Sequence, residues 1–298
     1  MKLGFIGFGE AAQNIAKGLK NEKKDIQITA YDVAFKDEKF KAKIKDNFKY
    51  LNITLCVSLK ELIDNNVLII VATSAKTAAQ ISYDCYDFLT SKHIYVDINA
   101  TSPDIQKEIA NVINSRRSFF VDAAVMGVIP KLNHKVPMLI SGDGSDAFLE
   151  FGEKYNMNLE KIDINPGTSS GVKMARSIFM KGFTTTLIET LKAASSLNME
   201  NKVLNSINES LGIKDLEHLS NNLISRTVMH SERRSAEMVE VIKTFEKHNV
   251  EMIMAKATQK SLDYLTECNL KDYFSSTPNN YKDVIKKIRE RENDDSYF

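Results

Sequence analysis

The sequence predicts an α/β domain on a mainly parallel sheet, followed by an all-helical domain. Three observations lead there. The first half alternates short β-like runs with amphipathic stretches. One of those runs, Val67-Leu68-Ile69-Ile70-Val71, shows no polar alternation, as expected of a strand covered on both faces. After Asp163-Ile164-Asn165-Pro166-Gly167 the rhythm changes, and only helical patterns follow.

The strand candidates are Lys2–Ile6, Gln27–Tyr31, Thr54–Val57, Val67–Ala72, Ile94–Asp97, Phe119–Asp122 and Met138–Ser141. Helical stretches such as Ala11–Leu19 and Ala75–Leu89 lie between them, which is the rhythm of βαβ units. In the second half, Ser169–Leu197 is free of proline and reads as one long helix. Leu216–Phe245 reads as another, with Ile224, Val228, Met238, Ile242 and Phe245 on one face and Ser231 and Ser235 as small members. The domain boundary is expected near residues 163–167, giving domains 1–165 and 166–298. The charged stretch Lys286–Glu292 is expected to be solvated or frayed.

Composition narrows the function classes. A chain of 298 residues, 43% hydrophobic and 27% charged, has material for two globular cores. With 40 basic and 39 acidic residues, nothing in the overall charge points to nucleic acid or an anionic membrane. The longest apolar runs are too short to span a bilayer, and the chain opens directly into a strand, so no signal peptide is expected. Cys56, Cys85 and Cys268 lie far apart without metal-ligand spacing. They read as reduced thiols in a cytoplasmic protein, and no metal site is expected.

The first motif is Gly7-Phe8-Gly9-Glu10-Ala11-Ala12, a G-x-G-x-x-A run that follows an apolar strand and opens a helix. Gly7 permits the tight turn, Gly9 lets the backbone approach a pyrophosphate, and Ala12 lets helix and strand pack closely. Free N–H groups and the helix dipole then favour the phosphates. Asp32 ends the next strand, 25 residues after Gly7, and suits the ribose hydroxyls of a dinucleotide. Its charge opposes a 2′-phosphate, so NAD is preferred, although nearby Lys36 keeps NADP open. Thr73 and Ser74 end the fourth strand at the carboxyl edge, where ligands bind in such sheets. In Asp97-Ile98-Asn99-Ala100-Thr101-Ser102-Pro103, Asn99 suits the nicotinamide half, while Ser102 or Thr101 reads as a helix cap with Pro103 at the first helical position.

These residues resemble the β-hydroxyacid dehydrogenase superfamily, which includes 3-hydroxyisobutyrate and 6-phosphogluconate dehydrogenases. Gly4 to Gly9 is similar to its opening, and Asp97 to Pro103 to its loop after the fifth strand. Asp122-Ala123-Ala124-Val125-Met126-Gly127 resembles its substrate loop, and Gly167 to Lys173 the segment that brings its catalytic lysine. The helical half resembles the C-terminal domain, of unassigned function, in a subgroup of phosphogluconate-dehydrogenase-like NAD-binding proteins. The matching segments are Gly171–Ser177, Lys181-Gly182 and His230–Met238.

The resemblance implies a Rossmann domain, a nicotinamide cofactor, Lys173 as acid/base, and a homodimer formed through the helical domain. It implies substrate contacts from Val125, Met126 and Gly127 and from Ser177. Two departures matter. Relatives carry asparagine one helical turn after the lysine, where this chain has Ser177, and serine in the substrate loop, where it has Met126. A thioether cannot donate to a carboxylate. Backbone N–H groups near Gly127 are the alternative donors. Arg226, His230, Arg233 and Glu237 share one face of the expected helix Leu216–Phe245. On that face His230 and Arg233 could clamp an anionic substrate. The expected function is therefore NAD-dependent hydride transfer to or from a small hydroxy acid or alcohol. The alternatives are a non-catalytic NAD(H)-binding or sensing protein and an imine reductase.

Overall fold

The computed structural model describes residues 2–37, 42, 51–213, 215–274 and 276–292. The chain divides into two compact units, Met1–Lys173 and Met174–Phe298.

The strands of the first unit are β1 (Leu3–Ile6), β2 (Ile28–Tyr31), β3 (Thr54–Leu55), β4 (Leu68–Val71), β5 (Ile94–Asp97), β6 (Phe119–Val125), β7 (Met138–Ser141) and β8 (Leu159–Asp163). Among the described residues they form one sheet in the order β3-β2-β1-β4-β5-β6-β7-β8. Pairing is parallel except between β6 and β7, where the chain reverses. The chain runs outward from β1 to β3 and returns to β4 on the other side of β1. This puts the topological switch point, and the crevice beyond it, between the carboxyl ends of β1 and β4.

The helices of this unit are α1 (Glu10–Glu22), α2 (Leu59–Asn65), α3 (Ala78–Cys85), α4 (Pro103–Ser115), the single turn α5 (Ile129–Leu132) and α6 (Ser145–Lys154). Side chains alternate across the pleat, and each face has its own core. Leu3, Phe5, Leu68, Ile70 and Val96 pack with Ala12, Ile15 and Leu19 of α1 and Phe148 and Phe151 of α6. Ile6, Ile69, Val71 and Tyr95 pack with Leu62 of α2, Cys85 of α3 and Ile109 and Ile113 of α4. Leu68 to Val71 are buried throughout, as a doubly covered strand requires.

Several boundaries differ from the sequence reading. Strand β6 continues to Val125, so most of the expected substrate loop is strand. Strand β8 and helices α2 and α6 were not anticipated. Helix α2 is closed by a reciprocal cap. The Ser58 hydroxyl accepts from the Glu61 amide at 3.2 Å, and the Glu61 carboxylate accepts from the Val57 amide at 2.7 Å. Helix α4 starts as expected, with Ser102 as cap and Pro103 in the first turn.

The long helix α7 (Thr168–Ser196) is followed by α8 (Glu200–Leu211), α9 (Leu216–Met229), α10 (Ser231–Glu246), α11 (Ile253–Glu267) and α12 (Tyr281–Glu292). The expected single helix Leu216–Phe245 is two. His230 leaves helical geometry (φ −133°, ψ 24°), and its amide closes a tight turn onto the Thr227 carbonyl. The expected apolar face is split accordingly. Ile224 and Val228 join a core with Leu191 and Ile288, whereas Met238 and Ile242 join a second with Met252 and Leu262. The stretch expected to fray forms the end of α12. Ile288 is fully buried, and Glu292 binds Lys192 and accepts from the Tyr264 hydroxyl at 2.6 Å.

Candidate functional site

The turn between β1 and α1 is built around two glycines used in different ways. Gly7 has φ +80°, and a Cβ there would stand 2.6 Å from the Ala72 carbonyl oxygen and 2.8 Å from Thr73 Cγ2. Its own backbone therefore requires glycine. Gly9 has an ordinary φ of −75°, and a Cβ there would meet no atom within 4 Å. The fold does not need glycine at position 9, so the bare backbone leaves room for something outside the chain.

Gly9 is also the N-cap of α1, and no side chain caps that helix. The first amides of the helix, at Glu10, Ala11 and Ala12, have no carbonyl one turn back to bond. Phe8 is fully buried, with its ring edge-on to Phe5, so its contribution to the turn comes from the backbone. Its amide donates to Asp32 Oδ2 at 2.7 Å and its carbonyl accepts from Gln13 Nε2 at 2.8 Å. Gln13 escaped the sequence reading. It lies one position beyond the motif, and no pattern marks a side chain that folds back onto the turn.

Asp32 caps the short 3-10 turn that follows β2, accepting from the Ala34 amide at 2.9 Å through Oδ1. One carboxylate thus ties the glycine turn to the end of β2. At the end of β4, Thr73 Oγ1 is buried and has no hydrogen-bond partner among the described residues. Ser74 is engaged locally, its hydroxyl 3.0 Å from Thr77 Oγ1. The open Gly9, the uncapped α1 and the unpartnered Thr73 hydroxyl all fit a dinucleotide seated at the switch point, its diphosphate on the α1 amides.

Beyond β5, Asn99 closes on Asp97. Its amide donates to Oδ1 at 2.8 Å and its side chain to Oδ2 at 2.9 Å. Gln106 adds a bond to Asp97 at 3.2 Å and one to Thr101 at 2.7 Å. Burial pushes the Asp97 carboxyl up to about 6, against the lowering by these bonds. Asp122 pairs in register with Asp97 on one side and Ser141 on the other, and burial raises its carboxyl too.

Asp122 holds the start of α7. Its Oδ2 accepts from the Ser170 amide at 2.9 Å and its Oδ1 from the Ser170 hydroxyl at 2.8 Å. The Ser169 amide donates to Ser141 Oγ at 3.2 Å. Lys173, half-buried within the first turns of that helix, is near enough for its charge to favour ionised Asp122. Gly167 and Gly171 lie at the start of this helix. Their observed neighbour is Pro103. Gly167 has φ +91°, and a Cβ there would lie 2.8 Å from the Pro103 carbonyl oxygen, while one at Gly171 would make ordinary contact with Pro103 Cγ at 3.6 Å.

In the expected substrate loop, Val125 pairs with Met138 as strand, and the Met126 amide donates to the Pro137 carbonyl at 2.8 Å. That amide, expected to be available beside Gly127, is spent on the sheet. Gly127 is exposed. In the second unit, Ser177 is half-buried and His230 and Arg233 are exposed. The break at His230 puts Arg226 on α9 and Arg233 and Glu237 on α10. On α10 these two are paired at 3.0 Å. Among the described residues no group of His, Cys, Asp or Glu has the arrangement to hold a metal, and no helix is long and apolar enough to cross a membrane.

Fold and site together define a Rossmann-type dinucleotide-binding domain joined to a helical region. Residues 2–149 match the family described as the NAD binding domain of 6-phosphogluconate dehydrogenase, and residues 194–265 match the family described as domain of unknown function DUF1932. The chain therefore carries a nicotinamide-dinucleotide-binding domain of the 6-phosphogluconate dehydrogenase type followed by a DUF1932 domain. A Methanothermus fervidus protein, "Uncharacterized 28.5 kDa protein in 7S RNA 5'region", is 28% identical over 90% of this chain and 100% of its own length. A conserved hypothetical protein from Sinorhizobium meliloti is 27% identical with TM-score 0.77, covering 98% of this chain and 96% of that one. The fold is shared with 3-hydroxyisobutyrate dehydrogenase from Mycobacterium tuberculosis (12% identity, TM-score 0.72, 97% and 99% coverage). It is shared also with an imine reductase from a Pseudomonas species (17%, 0.56, 98% and 99%).

Proposed function

We propose that this protein is an NAD-dependent oxidoreductase acting on a small hydroxy acid or related alcohol, with Lys173 as the proton-handling residue. The observation that carries the cofactor half is the open, uncapped start of α1 at Gly9, with the unpartnered Thr73 hydroxyl on the neighbouring strand end. Asp32, ending β2 with a negative charge, favours a free ribose 2′-hydroxyl over a 2′-phosphate and so NAD over NADP.

When bound, a nicotinamide supplies hydride exchange. The chain must then move a proton on or off the substrate oxygen. Lys173 Nζ takes the hydroxyl proton in oxidation and returns it in reduction. Asp122 fixes the helix that carries Lys173 and, where ionised, steadies the ammonium. Ser177, one helical turn further along the sequence, and the Val125–Gly127 segment are assigned to orienting substrate, as are His230 and Arg233. A homodimer formed through the helical unit completes this reading, and sedimentation velocity tests it.

Calorimetry with NAD⁺ and NADH comes first, because absence of uptake of either nucleotide overturns the whole assignment. A broad screen of hydroxy acids, following formation of reduced cofactor, then seeks turnover. Lys173→Met is expected to abolish turnover while leaving NADH uptake intact. Unchanged turnover removes Lys173 from the mechanism.

A second reading, imine reduction, is favoured by Met126. With its amide bonded to Pro137 and a thioether side chain, this position gives no donor to a substrate carboxylate. Reduction of cyclic imines by NADH, without oxidation of any hydroxy acid, would select it. Uptake without turnover in either screen would leave a nucleotide-sensing role.

A further inference from the structure

The helical unit gathers four cations, Lys181, Arg226, Arg233 and Arg234, near the carboxylate of Glu237 or near one another. Lys181 on α7 is 93% buried, with 7% relative exposure, and its ammonium lies 3.1 Å from Glu237 Oε2. Arg233 takes the other oxygen of Glu237 at 3.0 Å. Arg234, half-buried next to it in sequence, donates a single hydrogen bond among the described residues, to Thr227 Oγ1 at 2.8 Å. Arg226, in the last turn of α9, makes no ion pair among the described residues and is near enough for its charge to act on Arg234.

The electrostatics are one-sided. Burial lowers the Lys181 ammonium, Glu237 opposes that, and Arg234 and Arg233 add to the lowering. Burial likewise lowers the Arg234 guanidinium, again opposed by Glu237 and reinforced by Arg233 and Arg226. Taking charges out of water is costly unless they are matched, and half-buried Arg234, its guanidinium lowered, has no ion pair among the described residues while Glu237 pairs with Lys181 and Arg233. Arg233 and Arg234 also sit in the first turn of α10, where the helix dipole already disfavours positive charge. A guanidinium has five N–H donors in a fixed fork suited to oxygen anions.

We propose that Lys181, Arg226, Arg233 and Arg234 form a binding site within the helical unit for a small, doubly charged oxyanion. Arg234, held in place by Thr227, supplies the fork, and Glu237 keeps Lys181 and Arg233 in position when the site is empty. A dianion brings the cluster from three excess positive charges to one. The site shares Arg233 with the substrate-orienting residues proposed above, but its test reads sulfate binding alone and does not depend on turnover.

The test is thermal unfolding of the full chain in sodium sulfate against sodium chloride at matched ionic strength. Sulfate is expected to give a saturable rise in Tm of roughly 2–4 °C that chloride does not. Arg234→Gln should abolish the rise. Arg226→Gln breaks no ion pair among the described residues, so it serves if Arg234→Gln fails to fold, and it should weaken sulfate binding about tenfold. Gly9→Asp, which places a carboxylate at the α1 amides, should leave the sulfate response unchanged. Equal responses to sulfate and chloride overturn the site. So does a sulfate response that survives Arg234→Gln and Arg226→Gln or is lost with Gly9→Asp.

Discussion

Asp122 receives both donors of Ser170, amide and hydroxyl, across 48 residues of sequence. The first turn of α7 is thus tied to a carboxylate from strand β6. Asp122→Ala leaves a buried N–H and a buried hydroxyl without acceptors, and should cost about 2 kcal/mol of unfolding free energy in urea. Ser170→Ala removes only the hydroxyl bond and should cost about 1 kcal/mol. A cost for Asp122→Ala no larger than for Ser170→Ala would show that the amide bond contributes nothing.

The two glycines of the first turn should separate folding from binding. Gly7→Ala combines a left-handed φ with a 2.6 Å approach to the Ala72 carbonyl oxygen and should destabilise the protein by about 3 kcal/mol. Gly9→Ala meets no atom and should change stability by less than about 1 kcal/mol. Its methyl should nonetheless weaken NADH uptake measured by fluorescence. Equal affinity in wild type and Gly9→Ala would mean that the diphosphate does not lie against this backbone.

Asp97 gives a pH signature. Burial raises its carboxyl from 3.8 to about 6, so the folded state holds that proton more tightly than the unfolded chain. The stability this provides is complete below 3.8 and is lost as pH rises through about 6. Between about pH 4 and 7 the wild type should lose up to about 3 kcal/mol relative to Asp97→Asn in urea unfolding. A pH-independent difference between the two proteins would contradict the raised value.

Helix α1 is held from below by a close fit. A Cβ at Gly18 would stand 2.2 Å from His134 Nδ1 and 2.9 Å from the His134 amide nitrogen. His134 is buried at 4% relative exposure, so the ring has little room to retreat. Gly18→Ala should cost about 1–3 kcal/mol, read as a lowered Tm. Wild-type stability in that variant would show that the Asn133–Lys135 turn yields freely.

The elements legible in the sequence were those with a local signal. Val67 to Val71 announced a doubly covered strand, and the glycine run announced the turn and the helix behind it. Ser102-Pro103 marked a helix start. Strand β8, Leu159-Glu160-Lys161-Ile162-Asp163, carries three charges because it lies at the sheet edge, where charge discourages further pairing, and so it does not look like a strand. Helix α2 had a legible mark in Ser58 and Glu61 that the reading passed over. The break at His230 has none, since no glycine or proline interrupts the helical pattern there. Within the candidate site, the glycines, Asp32 and Thr73 were found by position along the strands. The grip of Asp122 on Ser170 and of Asn99 on Asp97 was not, because hydrogen-bond partners are chosen by the folded geometry and leave no periodic trace.

The bond from the Phe8 amide to Asp32 has a consequence for redesign. On the NAD preference proposed above, replacing that acid is the direct route to a protein that accepts a phosphorylated ribose, yet the same carboxylate fastens the turn beside which the diphosphate would rest. Any exchange there withdraws an anchor from the loop at the moment it alters the choice of nucleotide. With Asp32 in that proposed role, preference and grip are linked through one side chain, and a successful switch would have to restore an acceptor for the orphaned amide elsewhere.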